Sequence, residues 1–131
     1  MLIRNILEES VRKFDEVKAV KWLKKKEIME RSYGELMENV VSTRKGLLAE
    51  GFEGKHIALI GTISVEWMES YLGIITGCTT AVPLDAALPC EDLIDLLNRS
   101  DSVALFLSPK LRPYLDAFLE NCPKLQKVWM L

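Results

Sequence analysis

The stretch that decides the fold is residues 55–85, KHIALIGTISVEWMESYLGIITGCTTAVPLD. A continuous apolar run, HIALIG, is followed by a segment of helical character, Val65–Thr76, and then by a second apolar run, TTAVPL. Short runs that are apolar without alternation are typical of strands covered on both faces. The stretch therefore predicts a strand, a helix and a second strand, which is the repeating unit of a parallel sheet.

The alternation of strand and helix continues along the rest of the sequence. Strand-like apolar runs begin near residues 56, 79, 103 and 127, at intervals of 23 or 24 residues. Helical stretches lie between them at residues 65–76, 91–100 and 110–121. This pattern predicts a parallel sheet whose consecutive strands are joined by right-handed crossovers. The last run, KVWML, stops within a predicted strand, which suggests that Leu131 is a cut end of a longer domain.

Short polar signals predict where these helices begin. Ser64 is a natural N-cap for the first helix, and Glu91 and Asp92 complement the helix dipole at the start of the second. Ser108-Pro109 predicts an N-cap followed by proline at the first position of the third helix. Pro113 falls early enough in that helix to be tolerated.

Before the sheet, the sequence predicts a helix, a β-hairpin and a second helix. The first helix, from about Asn5 to Glu16, is indicated by helical spacing of Ile3, Leu7, Val11 and Phe14. Two β-prone runs, VKAVKWL and EIMERSY, flank Lys24-Lys25-Lys26 and predict a hairpin whose turn type is left open. The segment Ser32–Glu35 forms a capping box for the second helix, and Gly51 suits the left-handed residue that ends it. The apolar face of that helix consists of Leu36, Met37, Val40, Val41, Leu47 and Leu48.

Composition bounds the class of protein. At 131 residues the chain has the length of one domain, and its 49% apolar and 27% charged residues are ordinary for a globular protein. A net charge of −2 gives no electrostatic case for nucleic acid or an anionic membrane, and the lysine run at 24–26 is interpreted as a solvated turn. The longest uncharged stretch, Ser70–Leu84, is too short to span a bilayer, and the N-terminus does not resemble a secretory signal. We therefore predict a cytoplasmic chain without a transmembrane segment or a nucleic-acid partner.

The carboxyl ends of the predicted strands are where a ligand would bind in such a sheet. They comprise residues 61–64, residues 85–88 and Ser108-Pro109. Ser64 could hold an anion at a helix N-terminus, but a plain N-cap is the favoured interpretation. Asp85 follows a strand, as the phosphoacceptor of a receiver domain does. The acidic pair and the lysine that such a domain also needs are missing from the other two loops, so this interpretation is disfavoured.

The cysteines and the histidine give no metal or disulfide signal. Cys78, Cys90 and Cys122 are odd in number and lack metal-ligand spacing, and His56 has no second ligand nearby in sequence. Cys78 and Cys90 flank the second strand and could be reactive. Without a neighbouring histidine as base, both are predicted to be small buried residues.

Aromatic residues and paired carboxylates also receive structural interpretations. Because the aromatic residues are spread over a hairpin, a helix and a strand, they are predicted to fill the core; they are Trp22, Trp67, Tyr71 and Trp129. The paired carboxylates are predicted to lie on solvated helix faces, since acid–base chemistry would need partners that the sequence does not offer. These pairs are Glu66 with Glu69, and Asp92 with Asp95.

Four segments resemble the motifs of adenylate-forming enzymes, which comprise AMP-forming acyl-CoA synthetases, peptide-synthetase adenylation domains and luciferases. Ser32–Leu36 is similar to the [ST]-Y-x-E-L that opens a helix near the start of these enzymes. Gly54–Leu59 resembles G-D-x-V-A-x, Ser64–Trp67 resembles N-S-x-E-W, and Gly77–Asp85 resembles A-G-x-x-x-V-P-L-[DN]. Their order and spacing agree from about Ser32 to Ser108. VPLDAALP, followed by an acidic helix start, looks most like bacterial long-chain fatty acid:CoA ligases.

The sequence departs from the family pattern at several scaffold positions. Lys55 replaces the usual Asp, Ile63 stands where the family often has Asn, and Thr76 replaces a common Ala. The segment Gly77–Pro83 is one residue longer than the shortest family versions. These differences affect the assignment to a subfamily more than the prediction of the fold.

The resemblance implies an α/β fold with a doubly wound, mostly parallel sheet of four core strands, preceded by an N-terminal helix and a β-hairpin. This is the flavodoxin-like half-domain of an adenylate-forming enzyme. Residues 1–131 would be a single domain, the N-terminal fragment of a larger AMP-binding domain. The parent enzyme would join a carboxylic, fatty acid to AMP from ATP and then transfer the acyl group to CoA, with ATP, Mg²⁺ and CoA as cofactors.

In the family, the groups that carry the chemistry lie downstream of the region matched here. They are a Ser/Thr/Gly-rich phosphate loop ending in Pro-Lys, a Y-G-x-T-E segment, an Asp for the ribose and a lysine on the C-terminal domain. No Gly-rich phosphate loop occurs in the 131 residues. We therefore assign no catalytic, cofactor-binding or metal-binding residue and expect no catalysis by this chain alone.

The resemblance also sets the expected partners. The remainder of the synthetase is the main one, with a small carboxylic acid as the substrate of the parent, and an exposed sheet edge would allow self-association. The alternative hypothesis is a free-standing, non-catalytic α/β binding or interaction module.

Overall fold

The structure, a computed structural model, describes residues 2–131. The helices are α1 (Ile3–Phe14), α2 (Tyr33–Ala49), α3 (Val65–Thr76), α4 (Cys90–Arg99), a 3₁₀ helix (Pro109–Tyr114) and α5 (Leu115–Asn121). The strands are β1 (Lys18–Lys24), β2 (Glu27–Ser32), β3 (His56–Ile60), β4 (Thr80–Leu84), β5 (Ser102–Leu107) and β6 (Lys127–Met130). None of the helices described in residues 2–131 has the length and apolar character needed to cross a membrane.

Four strands form one parallel sheet in the order β4-β3-β5-β6. Counted along the chain, this is the order 2-1-3-4, which is the beginning of the flavodoxin-like order. The predicted fold class is therefore confirmed.

Helices cover both faces of this sheet. On one face, Ile57 and Leu59 of β3 pack in a cluster with Leu47 of α2 and Ile74 of α3. Because successive strand residues point to opposite faces, the intervening β3 residues enter the other cluster. That cluster contains Ala58, Ile60, Leu93, Leu97, Leu105, Leu107, Phe118 and Cys122. The sheet is thus doubly wound, as the sequence predicts.

The hairpin is a separate two-stranded antiparallel sheet, β1 with β2. Its loop consists of Lys25 and Lys26, whose φ angles are +49° and +70°. Positive φ at both loop residues is the signature of a type I′ turn, whose twist matches that of the flanking strands. The predicted hairpin is confirmed, and the turn type that the sequence left open is resolved.

Helix α2 begins and ends as predicted. The Glu35 amide donates to Ser32 Oγ at 3.1 Å, and the Ser32 amide donates to Glu35 Oε2 at 2.7 Å, which completes the capping box. Gly51 follows the helix with φ +76°. On the apolar face the prediction is wrong for Leu48, which is 50% exposed. Its neighbour Leu47 points into the core instead, and adjacent residues on a helix cannot share one narrow face.

Residues 110–121 do not form the single helix that the sequence predicts. A 3₁₀ turn, Pro109–Tyr114, precedes α5, and the Ser108 side chain makes no capping hydrogen bond. Pro113 is the physical reason, because proline lacks the amide hydrogen and its ring crowds the preceding turn of an α-helix. Proline does occupy the start of the 3₁₀ segment, as expected. Helix α1 lies two residues earlier than predicted, at Ile3–Phe14.

Gly73 brings α2 and α3 into close contact. A Cβ atom built on Gly73 would lie 2.5 Å from Thr43 Cβ and 3.1 Å from the carbonyl oxygen of Val40. Both of these atoms belong to α2. Only a residue without a side chain therefore allows the two helices to pack at this distance on one face of the sheet.

Gly73→Ala is expected to destabilise the fold, whereas Gly46→Ala is its matched control. A Cβ at Gly46, within α2, would meet nothing within 4 Å. Both substitutions gain similar helix propensity, so their difference isolates the clash, which should cost about 1–3 kcal/mol. Urea unfolding of the two variants measures this difference. Equal stability of the two variants would show that the helices can move apart at no cost.

Candidate functional site

The carboxyl ends of the parallel strands meet at one edge, where the strand order reverses between β3 and β5. Here the ends of the two strands touch. The Ser108 amide donates to the carbonyl of Ile60 at 2.9 Å, and a Cβ on Gly61 would lie 2.0 Å from Ser108 Oγ. Ser108 is 6% exposed. The segments that follow β3 and β5 are therefore in direct contact at this edge.

The two polar residues predicted at this edge have local partners. Ser64 Oγ accepts from the Trp67 amide at 3.0 Å, so its interpretation as the N-cap of α3 is confirmed. Asp85 Oδ1 accepts from the Ala87 amide at 2.9 Å, an interaction that closes the turn after β4. Both side chains thus serve to shape the backbone at the strand ends.

A buried charged cluster lies where the hairpin, α2 and α3 meet. Glu69 of α3 is 6% exposed. Its Oε1 lies 3.0 Å from Arg31 Nε of β2 and accepts from Asn39 Nδ2 of α2 at 3.2 Å. Arg31 also lies over the Trp22 ring, 5.4 Å from its centroid. One carboxylate therefore links three elements that are distant in sequence.

The prediction that Glu69 lies on a solvated helix face is wrong. Glu66 is exposed, but Glu69 shares a face with Gly73, four residues on, which packs against α2. That spacing from a helix glycine is the signal that could have identified it. The other pair, Asp92 and Asp95, is exposed as predicted.

Burial raises the pKa of the Glu69 carboxyl, although the Asn39 hydrogen bond and the charge of Arg31 act in the opposite direction. Glu66, one helical turn away, adds a small increase to the pKa of Glu69 through its like charge. The effect of desolvation on the pKa of Glu69 is thus larger than the opposing effects of Asn39 and Arg31. Keeping this carboxylate charged at a buried site therefore costs folding free energy.

Beside this cluster is an open groove of about 360 Å³ at the ends of β5 and β6. Its polar side is formed by Arg31, Asn39, Ser42, Thr43, Glu66, Glu69 and Ser70, and its apolar side by Phe106, Met130 and Leu131. The arrangement offers hydrogen-bond acceptors next to an apolar surface. Among the residues that line the groove, none of the described hydrogen bonds pairs a nucleophilic side chain with a base.

The cysteines differ from one another in exposure. Cys122 is buried, which raises the pKa of its thiol, and Cys90 is half-buried. Cys78 is exposed, so its predicted burial is wrong. It lies in the turn before β4, which is an edge strand of the sheet. His56 Nδ1 lies 2.7 Å from the carbonyl oxygen of Ser100, and residues 2–131 contain no cluster of metal-ligating side chains.

The aromatic residues form separate contacts rather than one pocket. Trp67 stacks on Tyr71 with ring centroids 5.2 Å apart, and Trp129 stacks on Phe106 at 4.9 Å. These contacts pack against the core cluster on one face of the sheet, as predicted. Trp22 does not reach the core, because it lies on the hairpin beneath Arg31.

The sequence matches the family model described as AMP-binding enzyme over residues 7–130. The chain belongs to this family. Within the AMP-binding enzyme fold, the four resembling segments take the expected places. Ser32–Leu36 opens α2, Gly54–Leu59 leads into β3, Ser64–Trp67 caps α3, and Gly77–Asp85 contains β4.

Solved structures share this fold across almost the whole chain. The fatty acyl-CoA synthetase of Mycobacterium tuberculosis superposes with a TM-score of 0.86 at 18% identity, over 99% of this chain and 26% of that one. The N-terminal domain of FACL13 from the same organism superposes with a TM-score of 0.87 at 18% identity, over 99% of this chain and 34% of that one. Coronafacic acid ligase from Pectobacterium brasiliense superposes with a TM-score of 0.88 at 20% identity, over 100% of this chain and 25% of that one. A comparison with curated protein sequences finds no match.

These structures also show what fraction of a similar protein this chain covers. This chain spans 26% of the mycobacterial synthetase chain and 25% of the coronafacic acid ligase chain. For FACL13, the structure compared is its N-terminal domain, and this chain covers 34% of it. Because the sequence identities are 20% or less, the similarity to these structures shows a shared fold and nothing more specific.

Glu69→Gln is expected to remove a pH dependence of stability. Since the pKa of Glu69 is raised in the folded chain, the folded state binds more proton than the unfolded state above the ordinary value of 4.5. Stability of the wild type should therefore fall as pH rises through this window and level off above the folded pKa. Glu69→Gln should lack this fall, as measured by urea unfolding at a series of pH values.

Glu66→Gln is the matched control for this experiment. It removes an exposed carboxylate from the same helix and leaves the buried one in place. It should keep most of the wild-type pH dependence. Parallel curves for the wild type and Glu69→Gln would contradict the assignment of the buried charge.

Proposed function

We propose that residues 1–131 form the N-terminal scaffold of an AMP-forming acid–thiol ligase, and that this chain alone is catalytically silent. The parent would adenylate a fatty acid with ATP and transfer the acyl group to CoA. The observation that carries the proposal is the family match over residues 7–130 in a chain that spans only a quarter to a third of similar ligases. Residues 1–131 would then be one α/β domain, a part of the larger AMP-binding domain.

The loops at the sheet edge support the silent role, because they do not fit a triphosphate. A phosphate loop needs several consecutive backbone amides turned towards the ligand, and glycines provide that curvature. The loop after β3 contains only Gly61, and Ser108 fills the space beside it. Ser64 and Asp85 already accept backbone hydrogen bonds. We therefore assign ATP, Mg²⁺ and CoA to residues of the parent outside this chain, and no catalytic or ligand-binding residue to the chain itself.

The surface of the chain fits a role as one side of a larger assembly. Leu2, Ile3 and Ile6 of the N-terminal helix region are each about half exposed or more, at 69%, 55% and 49%. Exposed apolar groups of this kind favour burial against another part of a protein. The partner proposed here is the remainder of the synthetase, in a cytoplasmic enzyme whose substrate is a small carboxylic acid.

Calorimetric titration of ATP and Mg²⁺ into the purified chain, with and without a long-chain fatty acid, tests the silent role. We expect no heat of binding and no change in melting temperature. Saturable binding of ATP would overturn the proposal, because it would require a nucleotide site among these residues. Substitution of Ser64 or Asp85 by Ala would then locate that site.

A second observation separates the scaffold from a free-standing module, which would also fail to bind ATP. The coding sequence after the codon for Leu131 should continue in frame and encode a Thr-Gly-x-Pro-Lys phosphate loop. A stop codon at that place would favour the free-standing module and contradict the scaffold role.

A further inference from the structure

The tip of the hairpin carries an exposed apolar pair. Leu23 of β1 and Ile28 of β2 are direct cross-strand partners, so their side chains lie on the same face of the hairpin. They are 75% and 69% exposed. The opposite face holds Trp22 and Met29, of which Trp22 is covered by Arg31. The hairpin therefore packs through one face and presents Leu23 and Ile28 on the other.

Lysines surround this pair. Lys24, Lys25 and Lys26 connect the two strands, and Lys21 lies two residues before Leu23 on the same face. Lys21 is paired with Glu30 at 3.5 Å. No ion pair holds the lysines at positions 24–26 within residues 2–131. Glu27, opposite Lys24, is the one acidic residue at the tip. The tip is therefore positive although the chain carries a net charge of −2.

The turn is built against local preference. Type I′ turns favour Asn-Gly, because both loop residues need positive φ, which is unfavourable for residues with long side chains. Lys25 and Lys26 nevertheless take φ angles of +49° and +70°. The sequence thus places charge where Asn-Gly would give a more stable turn.

We propose that this hairpin tip docks on the surface of an anionic phospholipid bilayer. Leu23 and Ile28 would enter the boundary between headgroups and acyl chains, and the three turn lysines would contact lipid phosphates. The combination of a small apolar wedge and neighbouring cations is the chemistry that interfacial binding needs. The inference rests on the hairpin alone and does not use the catalytic silence of the chain; it requires that the remainder of the synthetase leave the hairpin tip uncovered.

A bilayer fits this surface better than a protein partner does. A stable protein–protein interface uses about 20–30 residues on each side. The tip from Leu23 to Ile28 contributes six residues, of which two are apolar and three are basic. A bilayer needs no shape complementarity beyond the depth of the inserted side chains, and its phosphates complement the lysines.

Vesicle flotation of the 131-residue chain tests the proposal. Vesicles of phosphatidylcholine and phosphatidylglycerol in equal parts should carry the chain, and vesicles of phosphatidylcholine alone should not. Added salt should release it, because exposed charges are screened. The double variant Leu23→Ser/Ile28→Ser should lower the partition coefficient by about tenfold or more.

A second variant separates binding from folding. Lys25→Asn/Lys26→Gly installs the preferred turn sequence, so the melting temperature should stay equal or rise. The same variant removes two cations and should weaken flotation by about tenfold or more. Ile63→Ser is the matched control, since Ile63 is 85% exposed but lies in the loop after β3. Its flotation should equal that of the wild type.

Three results would overturn the proposal. The first is no flotation with the anionic vesicles at low salt. The second is flotation that persists in both hairpin variants, or that is lost equally with Ile63→Ser. The third is concentration-dependent dimerisation that is lost in Leu23→Ser/Ile28→Ser while no vesicle binding is seen, which would assign the tip to a second copy of the chain.

Discussion

The structure depends on the burial of one strand, β3. Its residues Ile57, Ala58, Leu59 and Ile60 are each 0% exposed. The strand pairs with β4 on one side and β5 on the other, so all of its interior backbone groups can be satisfied within the sheet. Its alternate side chains enter the two clusters on opposite faces. Each helix layer is therefore anchored to the same four residues, and loss of this strand would separate the two halves of the core.

The sequence predicted those parts of the fold that depend on local chemistry and hydrophobic period. The four parallel strands, the hairpin, the capping box at Ser32 and the cap at Ser64 all follow from residues close together in the chain. The family resemblance implied a doubly wound, flavodoxin-like sheet, but the order β4-β3-β5-β6 was not predicted, since strand spacing alone does not fix which edges meet. Residues 110–121 have the pattern of one helix, but Pro113 interrupts it, so the structure has a 3₁₀ helix followed by a short α-helix.

The candidate site was less predictable, because it is formed by residues far apart in sequence. Glu69 is separated by 30 residues from Asn39 and by more from Arg31. Contacts between residues so far apart in sequence cannot be predicted from the local periodicity of apolar residues. A glutamate three residues after another is most simply explained as part of a solvated face. Only the approach of α2 at Gly73, together with the hairpin that covers the helix, buries it. Tertiary packing thus buried a residue that local sequence placed on the solvent-facing side of the helix.

The buried cluster and the exposed hairpin tip are two ends of one element. At the base of the hairpin, Arg31 is held by Glu69 and by the Trp22 ring, which fixes the orientation of both strands relative to α2 and α3. A hairpin fastened at its base projects its tip in a defined direction without further contacts there. This explains how the tip can carry two exposed apolar side chains and a strained turn of lysines without loss of the fold. The rigid sheet supplies the position, and the surface chemistry is confined to a part of the chain that the core does not need.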